Sequence, residues 1–159
     1  MNIITLNTLE RDLAAAAGEA RYNQNVDNNI PGHHQVSHDV RGMAGEIAVC
    51  KFYNKYPDLR IGPNSLGHDL TLGELCVDVK TTKYVTGYLD VSLKHNPISN
   101  FLYILVTEED PHYKMVGWQW SEYVIQEANI RDGSYKIEQD TLRHMDELNS
   151  DFKERRWEN

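Results

Sequence analysis

The chain has 159 residues, 40% of them hydrophobic, which suits one domain with an ordinary core. No apolar run approaches a membrane span, and Met1-Asn2-Ile3-Ile4-Thr5 lacks the basic start and apolar stretch of a signal peptide, so the expectation is a soluble protein inside the cell with no membrane partner. The net charge of −8 opposes nucleic-acid binding by bulk attraction, although acids that hold a divalent cation are locally neutralised and the remaining Lys and Arg can still form a patch. The two cysteines, Cys50 and Cys76, fall among apolar neighbours and read as packed, reduced thiols.

The run Thr8-Leu9-Glu10-Arg11-Asp12-Leu13 followed by four alanines predicts a helix over 8–21 capped by Thr8. Residues 22–38 are Asn-rich, contain Pro31-Gly32 and show no periodicity, which predicts a long loop. Over 39–55 the apolar positions Met43, Ile47 and Cys50, with Ala44, Gly45 and Ala48 beside them, predict a second helix able to approach a neighbour closely, ended by Pro57. Strands are expected over 69–72 and 75–82 around Gly73-Glu74, over 88–93, over the apolar run 101–107 and over its partner 113–119. Ser121 is expected to cap a short helix reaching Ala128, and a last helix over 141–156 sets Leu142, Met145, Leu148 and Phe152 along one side. This order predicts a single α/β (α+β) domain with a central mixed sheet flanked by helices, its core over about 39–129 and residues 1–38 and 141–156 as additions.

The segment from Asp69 to Lys80 carries the chemistry. As a two-residue hairpin it pairs Leu72 with Leu75, Thr71 with Cys76, Leu70 with Val77 and Asp69 with Asp78. Alternation then puts Leu70, Leu72, Leu75, Val77 and Val79 on one, apolar face, and Asp69, Thr71, Cys76, Asp78 and Lys80 on the other. Facing carboxylates with Cβ atoms ~5 Å apart repel unless something positive lies between them. Mg²⁺ meets that need, because it takes one or two carboxylates and leaves positions for water and phosphate oxygens. Lys80 projects from the same face and can hold a water or a phosphate oxygen. An Asp-x-Lys strand alone is most often a solvated face with a weak ion pair; the opposing Asp69 is what favours a metal site.

At these residues the chain resembles the PD-(D/E)xK nuclease superfamily, which has the restriction-endonuclease-like fold. The motif reads Gly67-His68-Asp69, eight intervening residues, then Asp78-Val79-Lys80, with His68 where the motif's name has proline; Gly45-Glu46-Ile47-Ala48 matches the glutamate the family places on the preceding helix. The resemblance spans about 41–120. It implies a Mg²⁺-dependent deoxyribonuclease, an endonuclease in the first instance, in which Mn²⁺ can substitute. Asp69, Asp78 and the main-chain carbonyl of Val79 would be metal ligands, Lys80 the water-positioning group, and Glu46 an outer ligand or water acceptor. Water would attack in line with the leaving 3′ oxygen and leave a 5′ phosphate. The family's phage and bacterial members imply a cytoplasmic location in a bacterial or phage-infected cell, and cutting both strands together implies a homodimer.

Arg41, Thr81, Thr82 and Lys83 are candidate DNA contacts, against the plainer readings of a solvated helix start and a strand end. His33, His34 and His38 near Asp39 suggest zinc, but no cysteine completes a set of four, so loop histidines near a phosphate are preferred. Trp118 and Trp120 are expected to pack in the core rather than stack on bases, and the basic run from Lys153 to Arg156 is expected to be a solvated helix end. The rival to the nuclease is a catalytically inactive, acidic module of the same fold that binds a protein partner or mimics DNA. The charge of −8 favours it, and a self-repelling acid pair disfavours it. An RNA-cleaving variant is a third reading.

Overall fold

The computed structural model describes residues 2–28, 35–61 and 67–153. A five-stranded sheet runs in the order β1 (Ile3–Thr5), β6 (His112–Trp120), β5 (Phe101–Glu109), β3 (Leu75–Thr82), β2 (Leu70–Leu72). Only β3 and β5 are parallel, so the sheet is mixed as the sequence predicts. Helices α1 (Thr8–Asp27) and α2 (Val36–Phe52) cover one face, where Val77, Val79, Leu102, Ile104 and Val106 join Met43, Ile47 and Ala48 in the larger core. The other face carries Phe101, Tyr103 and Leu105. A second, three-stranded sheet of β4 (Leu89–Ser92), β8 (Ser134–Ile137) and β7 (Ile130–Arg131) covers it, together with the short α3 (Ser121–Val124). Among the described residues no helix is long and apolar enough to cross a membrane.

Several boundaries differ from the sequence reading, each for a local reason. Asn7, not Thr8, caps α1: its side chain accepts from the Glu10 N–H while Glu10 accepts from the Asn7 N–H. Helix α1 runs on to Asp27 and α2 begins at Val36, so 22–27 and 36–38 of the expected loop are helical, and 29–34, with His33 and His34, lie outside the described residues. His38 is in the first turn of α2. That helix stops at Phe52, before Pro57, where Asn54 takes a left-handed conformation (φ 55). Ser121 does not cap a helix: its hydroxyl accepts from the Ile98 N–H at 3.1 Å. The last helix, α4 (Met145–Lys153), starts four residues late because Arg143 is drawn into a bridge with Trp118. Met145 and Leu148 are buried as expected, whereas Phe152 and the basic run after it lie outside the described side chains. Strands β1, β7 and β8 were not foreseen; β7 and β8 are joined by Asp132-Gly133, both with positive φ (48 and 82). The cysteines are free, Cys50 buried and Cys76 half-buried. Trp118 is core, edge-on to Trp120 at 5.0 Å.

Gly45 sets how near α2 lies to β3. A Cβ there would fall 1.9 Å from the Thr81 Oγ1. Gly45→Ala therefore forces the helix off the strand, and we expect a loss of about 1–3 kcal/mol, seen as a melting point lowered by several degrees. The next residue is Glu46, so the same contact fixes how deep that carboxylate sits.

Candidate active site

Three of the four predicted hairpin pairs form, Leu72 with Leu75, Thr71 with Cys76 and Leu70 with Val77, and the fourth, Asp69 with Asp78, is not part of the ladder. Asp69, one residue before β2, donates its N–H to the Val77 carbonyl at 2.8 Å, and its Oδ2 accepts from the Val79 N–H at 2.7 Å. Its carboxylate thus continues the edge of β3 where β2 has run out. The amide and carbonyl of one strand residue point to the same edge, so the Val79 carbonyl belongs to this opening too.

The hairpin's apolar face is core as expected, with Leu70, Leu72, Val77 and Val79 buried under the helices. The opposite face is less open than the alternation suggested. Cys76 packs against the second core, under the three-stranded sheet, and Asp78 is only 9% exposed. Asp78 Oδ1 lies 2.9 Å from the Lys80 Nζ, and that ammonium sits 5.9 Å from the ring centroid of Tyr103, the register partner of Asp78 on β5.

Glu46 reaches the site from α2, and both its oxygens lie 3.1 Å from the Arg21 Nη1 on α1. Arg21 also donates through Nη2 to the Asp58 carbonyl at 2.8 Å, tying α1, α2 and the chain before the hairpin together. Sequence reasoning missed Arg21. The available signal was its place on the buried stripe of Ala14, Ala17 and Gly18, where a lone cation needs an acid.

The charges interact strongly. Burial, then Glu46 and Asp78, hold the Asp69 carboxyl well above the usual carboxylate range. Burial also raises Glu46, despite the opposing pull of Arg21. Burial alone would lower Lys80, but Asp78, Asp69 and Glu46 outweigh it and raise it, so the group stays an ammonium. Burial and the nearby Glu46 and Asp69 push the Cys50 thiol up to about 12, which makes it inert. A second missed residue is His95, before β5: burial and then Lys80 lower it, while Asp78 acts the other way. No motif in the sequence ties this histidine to the hairpin.

Three carboxylates thus share a part-buried space with two cations. Among the described residues no three His, Cys, Asp or Glu side chains close into a ready-made metal cage. Glu46 is engaged by Arg21, Asp69 by the Val79 amide and Asp78 by Lys80.

The expected DNA contacts lie apart from one another in role. Arg41 is paired with Glu108 at 3.3 Å, both largely buried, so its guanidinium is already used. Thr81 turns its hydroxyl under α2, buried and without a hydrogen-bond partner, which removes it as a phosphate contact. Thr82 accepts from the Tyr84 N–H at 3.2 Å, and the exposed Lys83 places its Nζ 5.2 Å from the Tyr84 ring centroid. Two recesses adjoin the acids. One, of about 250 Å³, is lined by Lys55, Asp58, Arg60, His68 and Asp69; the hydrogen bonds from Arg60 bring Asp58 down to about 2. The other, of about 540 Å³, opens off Lys80.

Comparison of the chain with protein-family models, with characterised proteins and with solved structures finds no match. The functional reading therefore rests on the chemistry of the site.

Proposed function

We propose that the chain is a Mg²⁺-dependent nuclease of the restriction-endonuclease-like fold that hydrolyses phosphodiester bonds in DNA. The observation that carries this reading is that Asp69, Asp78 and Glu46 lie within electrostatic reach of one another where the hairpin ladder ends, with the Lys80 ammonium 2.9 Å from Asp78. The donor set fits a hard divalent cation. Two carboxylates and the carbonyl of Val79 are oxygen ligands of the right kind, and the acids outnumber the cations of the site. Asp69, Asp78 and Val79 would hold Mg²⁺ or Mn²⁺, with Glu46 as an outer group. When bound, the ion would supply Lewis acidity and favour ionisation of a water.

The protein's own residues supply the rest. Lys80, held protonated by the surrounding acids, donates to a water or to a non-bridging phosphate oxygen and offsets the charge that builds on phosphorus. As an ammonium it cannot be the base. Arg21 keeps Glu46 from moving onto Lys80, so the ammonium stays on the Asp78 side. Partial burial of Asp78 and Lys80 strengthens each of these interactions.

The acidic binding module remains the rival, favoured by the internal partner that each acid already has and by the net charge of −8. Incubating the protein with supercoiled, linear, branched and single-stranded DNA, and with RNA, in Mg²⁺ or Mn²⁺ separates the two. The nuclease reading expects metal-dependent cleavage that Asp78→Asn and Lys80→Ala each reduce by at least ~100-fold. Absence of cleavage on every substrate, or cleavage that both variants retain, leaves the binding module in its place.

A further inference from the structure

The larger recess is bounded by Lys80, Thr82, Tyr84, Gly87, Tyr88 and Asp90, and its volume of about 540 Å³ is within the range of pockets that hold a small ligand. One wall is a tight turn anchored from several sides. The Gly87 N–H donates to the Tyr84 carbonyl at 2.9 Å, and Gln139 Nε2 donates to the Val85 and Gly87 carbonyls at 2.8 and 2.9 Å. Gly87 is required, because a Cβ there would lie 2.8 Å from Thr82 Oγ1. This rigid turn carries two aromatic rings outward: Tyr84 is 63% and Tyr88 44% exposed, and neither belongs to the core clusters.

We infer that this recess receives an unpaired base, stacked on Tyr84 and Tyr88, while the attached phosphate lies at Lys80, so that the substrate is single-stranded or frayed nucleic acid. The inference rests on the nuclease reading for the position of the phosphate. Charge decides which end of a nucleotide goes where. Both Lys80 and Asp90 line the recess; the ammonium attracts phosphate, whereas Asp90, bridged to Lys136 at 3.3 Å, repels phosphate and can accept from a base amino group. A chain of net charge −8 has little bulk hold on a duplex, and stacking supplies affinity that does not depend on neutralising phosphates. Paired bases are closed within their own stack, so a duplex offers the tyrosines nothing to grip.

Two measurements on the full chain test this. The first is polarisation of a labelled single-stranded decamer and of its duplex, with wild type, Tyr84→Ala, Tyr88→Ala and the two Phe variants. The second is cleavage of the same oligonucleotides in Mn²⁺ by these proteins and by Lys80→Ala. We expect the single strand to bind at least tenfold tighter than the duplex, each Ala variant to weaken it about tenfold, and each Phe variant to stay within about twofold of wild type, since stacking needs the ring and not the hydroxyl. Both tyrosines are exposed, so unchanged melting points are expected alongside. Equal binding of duplex and single strand, or Ala variants that bind as wild type does, overturns the inference. Cleavage that needs Lys80 but ignores the tyrosines sinks the base-stacking groove and leaves the nuclease standing; tyrosine-dependent binding with no cleavage sinks the nuclease and leaves the groove.

Discussion

Asn in place of Asp69 is expected to make the protein more stable and, at the same time, inactive. Burial and the neighbouring Glu46 and Asp78 hold this carboxyl above its ordinary range. Between the unfolded pKa of about 4 and the raised folded value, the native chain keeps a proton that the unfolded chain has released. Stability from this group is therefore greatest at low pH and declines as pH rises through that window, so at neutral pH the ionised carboxylate is a burden on the fold. Asn keeps an acceptor for the Val79 N–H and removes the charge. We expect a gain of about 1–3 kcal/mol at pH 8, a melting point higher by ~2–4 °C for each kcal/mol, and a gain that fades toward pH 4. Cleavage should fall by at least ~100-fold. Melting curves at both pH values and a nicking assay measure the two effects, and a lower melting point at pH 8 would mean that Asp69 serves chiefly as an anchor for the strand edge.

Arg21→Ala should have the opposite sign and a larger size. It strips Glu46 of its partner and leaves a carboxylate, 12% exposed, in the field of Asp69 and Asp78. Breaking a buried pair from one side costs about 3–5 kcal/mol. Arg21 works against the upward shift of Glu46, so without it Glu46 rises further, and the penalty eases as pH falls and the acid takes up a proton. The variant should melt far below wild type at pH 8 and closer to it at pH 5, and Arg21→Ala with Glu46→Gln should recover most of the loss. A penalty equal at both pH values would assign the effect to lost packing of the arginine stem instead.

The parts of the fold legible in the sequence are those set by short-range pattern. Period-two alternation on either side of Gly73, whose positive φ (59) makes the bend, determines the hairpin register, and the unbroken apolar run marks the doubly buried β5. Strand β1 has three residues and no pattern of its own; it exists because β6 offers an edge far along the chain. Residues 22–27 are poor helix formers, yet α1 continues through them beside α2, whose close approach shows where a Cβ on Gly18 would fall 2.5 Å from the Val40 Cα. The turn Asp132-Gly133 is a readable hairpin signal, but the strands it joins are only two and four residues long. Without its strands the second sheet was not anticipated, and the Asp78 face appeared more open than it is.

The candidate site divides in the same way. Asp69, Asp78 and Lys80 follow from local alternation, and Glu46 from the resemblance. Arg21 reaches Glu46 only through helix packing, and His95 comes into the field of Asp78 and Lys80 only through the path of the loop before β5, which no local spacing encodes. Thr81 shows the reverse: its place on the strand is as read, but Gly45 brings α2 down on its hydroxyl.

The most direct test of the account is calorimetric titration of Mn²⁺ into wild type, Asp69→Asn and Asp78→Asn near pH 7. The account predicts saturable binding at one kind of site, and loss of that binding in both variants. No saturation at millimolar Mn²⁺, or the same isotherm from all three proteins, would contradict it.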